Sequence, residues 1–70
     1  MTLRPHRGTP PSAISLWLEH GEMLIMSPVE ATRLIHKARM KRSYLHTRGY
    51  TVKRRTEDGE SYVWAEKASA

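Results

Sequence analysis

The side chains able to do chemistry are few, and their spacing argues against most of it. Four histidines, His6, His20, His36 and His46, are present, and no two stand at the i, i+4 separation that would set them over one metal on a helix. Cysteine is absent, which removes thiolate nucleophiles, disulfide staples and zinc fingers together. The carboxylates Glu57, Asp58 and Glu60 bunch in one short stretch, and nothing suggests the buried pair of unequal acidity that general acid–base catalysis uses. No glycine-rich phosphate loop and no nucleophile elbow occurs. The expectation is a chain without catalytic residues, metal or cofactor, and so not an enzyme.

Charge is the remaining chemistry. Twelve Lys and Arg against seven Asp and Glu leave +5 and a pI near 10.1. The distribution says more than the total. Residues 31–56 contain no acid but hold Arg33, Lys37, Arg39, Lys41, Arg42, Arg48, Lys53, Arg54 and Arg55, with His36 and His46 as polar members of the same block. The acids lie on the flanks, at Glu19, Glu22 and Glu30 and again at Glu57, Asp58, Glu60 and Glu66. A segregated cationic zone attracts a polyanion, and nucleic acid is the expected partner.

Seventy residues make one domain, and a modest one. Leu, Ile and Val number twelve and Phe is absent, below the ~20% at which a packed core becomes secure. Two Trp, three Tyr and the internal Met make up part of the deficit. The core must be small, with marginal stability unless a partner or a second copy adds to it. No apolar run approaches the ~18 residues of a membrane span, and the first residues lack a secretory hydrophobic stretch, so the expected setting is cytoplasmic, away from membranes.

The elements that must position the basic block follow from local patterns. Residues 1–11, with three Pro, one Gly and two Arg, predict a flexible basic arm. Ser12 is a candidate cap for a first helix anchored by Trp17 and stopped by Gly21. Met23–Met26 is too short an apolar run for a helix and suits a short buried strand or an extended connector. Ser27-Pro28-Val29-Glu30 is a capping box with proline at the first helical position, and Ala31, Leu34, Ile35 and Ala38 form one apolar face after it.

That face does not continue into Lys41 and Arg42. The phase change predicts two helices divided near residues 36–38, with one long helix over 28–48 as the rival. A third helix over about 38–48 would turn Met40, Tyr44 and Leu45 inward and align Arg39, Arg42, Ser43 and His46 outward. Gly49 ends it. Two strand-like runs then flank Asp58-Gly59, a hairpin turn; a two-residue loop there pairs Thr56 with Ser61, Arg55 with Tyr62 and Lys53 with Trp64, and a one-residue slip is the rival that the turn alone does not exclude. Residues 67–70 read as a frayed tail.

Helix, short strand, helix, turn, helix and hairpin, over residues 12–66, resemble a winged helix-turn-helix domain of the small bacterial, phage or plasmid regulator type. The resemblance rests on Ser27-Pro28-Val29-Glu30-Ala31, on Leu45-His46-Thr47-Arg48-Gly49-Tyr50-Thr51-Val52 and on the returning Tyr62-Val63-Trp64. The chain departs from the pattern in lacking a glycine between the second and third helices. The resemblance implies an α+β fold with a C-terminal hairpin wing and a small transcriptional regulator that binds double-stranded DNA. It places Arg39, Arg42, Ser43 and His46 on base edges, and Arg33, Lys37, Lys41, Arg48, Lys53, Arg54 and Arg55 on the DNA backbone. One 70-residue chain offers few base contacts, so a homodimer on a two-fold site fits the same reading.

A second reading uses the same scaffold as a protein-binding module that docks on an acidic surface of a larger host protein, with Tyr62 and Trp64 as anchors. Single-stranded RNA ranks third, because only Tyr62, Trp64 and Tyr44 are candidate stacking groups. An anionic membrane surface ranks lower, since the few apolar groups are needed for the core.

Overall fold

Elements here are numbered along the chain. In a computed structural model, which describes residues 2–6 and 8–68, the chain forms β1 (Thr2–Leu3), α1 (Pro11–Glu19), β2 (Met23–Met26), α2 (Pro28–Ala38), α3 (Tyr44–Thr47), β3 (Tyr50–Glu57) and β4 (Glu60–Lys67). The class is α+β: three helices lie against a four-stranded sheet of order β1-β2-β4-β3.

The hairpin explains most of the sheet. Asp58 and Gly59 both adopt positive φ, 53° and 78°, the two-residue turn whose twist matches that of paired strands. Register then follows: Thr56 faces Ser61, Arg55 faces Tyr62 and Lys53 faces Trp64, as the turn predicts. Side chains alternate across the ribbon. Val52, Ser61 and Val63 turn toward the helices and are buried, while Lys53, Arg55, Tyr62 and Trp64 share the opposite face. The buried Ser61 hydroxyl is satisfied across the strands by Thr56 Oγ1 at 2.9 Å. Leu24 and Met26 of β2 pair beside Val63 and Ser61 and complete the sheet's share of the core.

Each helix end has a local cause. Proline opens α1 at Pro11, one residue before the expected Ser12 cap, because a proline at the first helical position has its φ preset and no N–H to satisfy. Gly21 closes α1 at φ 89°: its N–H donates to Leu18 O and the Glu22 N–H donates to Trp17 O, the paired bonds of a glycine-terminated helix. Ser27 caps α2 by accepting from the Glu30 N–H at 3.3 Å, and Pro28 follows at the first position. The reciprocal bond from the Glu30 side chain is not formed among the described residues, so half of the expected capping box exists.

The division after α2 is real, but it falls at residues 39–43 rather than at 36–38. Ser43 makes it. Its hydroxyl donates to Ala38 O at 2.8 Å and accepts from the His46 N–H at 3.1 Å, closing one helix and opening the next with a single side chain. No glycine is required, because Arg39 ends α2 in the right-handed region and the turn runs on through Met40 N–H to Lys37 O and Ser43 N–H to Met40 O.

The core consists of Leu18, Leu24, Met26, Ala31, Leu45, Val52 and Val63, with Trp17, Leu34, Ile35 and Tyr50 packed around it. Trp17 therefore serves the core, as the first helix requires, whereas Trp64 lies on the helix-free face of the sheet. Two expectations need correction at the termini. Residues 1–11 were expected not to pack, yet Thr2 and Leu3 extend the sheet in parallel beside Met23 and Leu24, Leu3 touches the core, and Arg4 reaches Glu60 at 2.9 Å. The edge of β2 offers unpaired amides, and pairing satisfies them. Lys67 belongs to β4, and the Ala68 N–H donates to Gly49 O at 2.7 Å; the rest of the expected tail, residues 69 and 70, lies outside the described residues.

Candidate nucleic-acid interface

The expected base-reading helix over 38–48 is not formed. Only Tyr44–Thr47 is helical, a single turn, so Arg39, Arg42, Ser43 and His46 do not make one row. Arg39 caps the end of α2, Arg42 sits in the following turn, Ser43 caps α3 and His46 lies within it. Ser43 is also chemically committed: its hydroxyl both donates and accepts inside the turn. The physical reason is the preference of serine for a cap over a helix interior, which the helical-row reading overlooked.

What the tertiary structure does assemble is a groove between α2 and β3. Thr32 and His36 of α2 and Arg39 at its C-cap, spaced i, i+4 and i+7, line one wall, and Arg54 of β3 lines the other, over a floor of Ile35 and Val52; Lys53 borders the groove with its side chain on the helix-free sheet face. A second depression continues past Arg39 and Val52 to His46 and Tyr50. No carboxylate lines either part among the described residues. Arg54 alternates onto the helix side of the sheet and is held there: its Nη1 donates to Thr32 Oγ1 at 2.7 Å and to Pro28 O at 3.3 Å. Thr32 was absent from the sequence-derived set; its signal was its position one turn before His36.

The other predicted cations are distributed elsewhere. Arg33 and Lys37 line a different groove, between α1, α2 and α3. Arg48 stacks over the Tyr44 ring at 4.2 Å and lies 3.7 Å from Glu19. Arg55 pairs with Glu57 at 3.2 Å on the helix-free sheet face. The anticipated single cationic surface is therefore divided. Arg39, His46 and Arg54 are brought together with His36, Lys53 borders that groove from the helix-free face, Lys41 and Arg42 stand on the adjoining turn, and Arg33, Lys37, Arg48 and Arg55 are placed apart.

Availability separates these groups further. Arg33, Lys37, Arg39, Lys41, Arg42 and Lys53 are exposed and make no ion pair or side-chain hydrogen bond among the described residues. Carboxylates of the sheet and of α1 are engaged: Glu60 by Arg4, Glu57 by Arg55, Glu66 by Trp64 Nε1 at 2.8 Å, and Glu19 by Tyr44 and Arg48. The Glu19 carboxylate that accepts the Tyr44 proton at 2.8 Å raises the phenol above its usual range, while nearby Arg48 acts the other way.

No group of three or more His, Asp or Glu able to hold a metal ion occurs among the described residues, and no helix there is long and apolar enough to cross a membrane. The helix-free sheet face carries Tyr62 and Trp64, half-buried, beside Lys53 and Arg55. Set against protein-family models, curated proteins and solved structures, the chain matches none of them.

Proposed function

We propose that the chain binds double-stranded DNA as a small winged helix-turn-helix regulator, with the α2–β3 groove and the 39–43 turn as the contact surface. The element order supports the winged-helix reading: α1, β2, α2, α3 and the β3–β4 hairpin follow one another, and β2 pairs with β4. The observation that carries the proposal is a groove with no carboxylate in its lining among the described residues, on which Arg39 and Arg54 converge, with Lys53 at its border and Lys41 and Arg42, unpaired among those residues, on the adjoining turn.

The contact differs from the one the resemblance implies. A four-residue α3 is too short to lie along a major groove, so base reading rests on Arg39 and Arg42, which can grip guanine with two bonds, and on His46. Lys41, Lys53 and Arg54 meet phosphates. The wing acts through its basic shank, because its tip is Glu57, Asp58 and Glu60, which repel phosphate.

Titration of a duplex at several salt concentrations tests the proposal. The three cations placed on phosphates give a log–log slope of about −2.7, at ~0.9 per phosphate neutralised. Affinity absent at low salt, or unchanged as salt rises, overturns it.

A further inference from the structure

The groove on the other side of α2 has a different chemistry. Its floor is apolar, with Ile14 from α1 and Leu34 from α2, and its volume is about 240 Å³. An adjoining depression of about 290 Å³ shares Tyr44 with it and adds Leu16. Leu16 and Tyr44, 44% and 36% exposed, adjoin each other across this depression and so form a contiguous apolar patch rather than scattered surface residues. Arg33 and Lys37, one helical turn apart, form the rim from α2 and have no partner among the described residues. Glu30 is the one acid in the lining, at the N-terminal end of α2.

We infer that this groove is a docking site for an acidic amphipathic helix of a partner protein, separate from the DNA surface and not dependent on that reading. An apolar trough between helices takes an apolar helix face at i, i+3 or i+4, and i+7. The two unpaired cations select carboxylates on the flank of that helix. Nucleic acid does not fit here, because the floor offers nothing to a phosphate backbone and only two cations stand at the rim. A second copy of the chain fits poorly, because each copy carries +5 and brings further cations to Arg33 and Lys37.

The test is an amide NMR titration of the full chain with a designed helical peptide of about 14 residues, four turns, bearing Leu on one face and Glu on the flanks. A second peptide carries Lys in place of Glu. Shifts are expected at residues 14–16, 33–38 and 44 with the acidic peptide. The Arg33→Glu/Lys37→Glu variant weakens binding about tenfold, and Leu16→Ser, at an exposed site whose folding the same spectrum verifies, weakens it several-fold. Any one of four results overturns the inference: no shifts at millimolar peptide, equal binding of the Lys peptide, no effect of the rim reversal, or shifts confined to the α2–β3 groove. Concentration-dependent shifts at the same residues without peptide assign the groove to a second copy, which also overturns it. A parallel duplex titration of the rim variant reports on the DNA reading independently.

Discussion

The two sides of α2 differ in what the rest of the chain has placed opposite the same kind of basic helix. Toward β3, Arg39 faces Arg54 beside His36, with Lys53 at the border, over a small apolar floor and with no acid in the lining among the described residues. Toward α1 and α3, Arg33 and Lys37 border an apolar trough with exposed Leu16 and Tyr44 at its end. The first arrangement gains only from a dense polyanion, since the groups repel one another otherwise. The second gains from burying hydrocarbon, with charge setting the choice of partner. Net charge does not distinguish them; the opposite wall does.

The strongest way to break this distinction is charge reversal on each side. Lys53→Glu/Arg54→Glu should lower duplex affinity on the order of a hundredfold near physiological salt, read by fluorescence anisotropy, because two phosphate contacts become repulsive. Arg33→Glu/Lys37→Glu should lower it by less than about tenfold, through the general field alone. Equal losses would mean that both sides of α2 meet DNA.

Ser43→Ala sharpens the boundary between structure and readout. Removing a hydroxyl that both donates to Ala38 O and accepts from the His46 N–H should cost about 1–2 kcal/mol, measured by urea unfolding. Retained stability with an altered sequence preference would restore Ser43 to the base-reading set.

A smaller effect separates base contact from backbone contact within the DNA groove. Arg42→Ala should relax preference at one position of a bound site by about 1–3 kcal/mol against competing bases, while Lys53→Ala should weaken all sequences alike and reduce the salt slope by about one. Identical, sequence-blind losses from a panel of duplexes would remove base reading from the turn.

The smallest effect lies at the mouth of the apolar trough. The Glu19 carboxylate raises the folded-state pKa of Tyr44 above the unfolded value, so the hydrogen bond stabilises the fold fully below the unfolded value, near 10, and the contribution is lost as pH rises through the raised folded value. Tyr44→Phe should abolish that alkaline dependence and remove the same small contribution at neutral pH, where the hydrogen bond is fully formed. A wild-type stability curve flat through this range would show that the hydrogen bond does not persist in solution.

Local rules carried much of the fold. Asp58-Gly59 marked the hairpin, and the observed two-residue turn of positive φ, with Val52 and Val63 buried on one face, selects its register over a one-residue slip. Gly21 and Ser27-Pro28 determined two helix ends, because each supplies a conformation or bond that its neighbours cannot. The interruption between α2 and α3 was legible as a phase change in the apolar pattern, but not its position or length. Serine reads equally as a helical surface residue and as a cap, and only the positions of Ala38 O and the His46 amide decide between them.

The sequence by itself determined that a cationic block exists, that it is free of acids and that a hairpin follows it. Tertiary structure decided how the block is divided. Residues four apart on α2 lie on one stripe, but Arg33 and Lys37 differ in angle from Arg39, and the angle acquires meaning only once β3 and α1 have packed on opposite sides. The alternation of β3 likewise sends Arg54 to the helices and Arg55 to the helix-free face, and which face meets the helices depends on where Val52 and Val63 are buried.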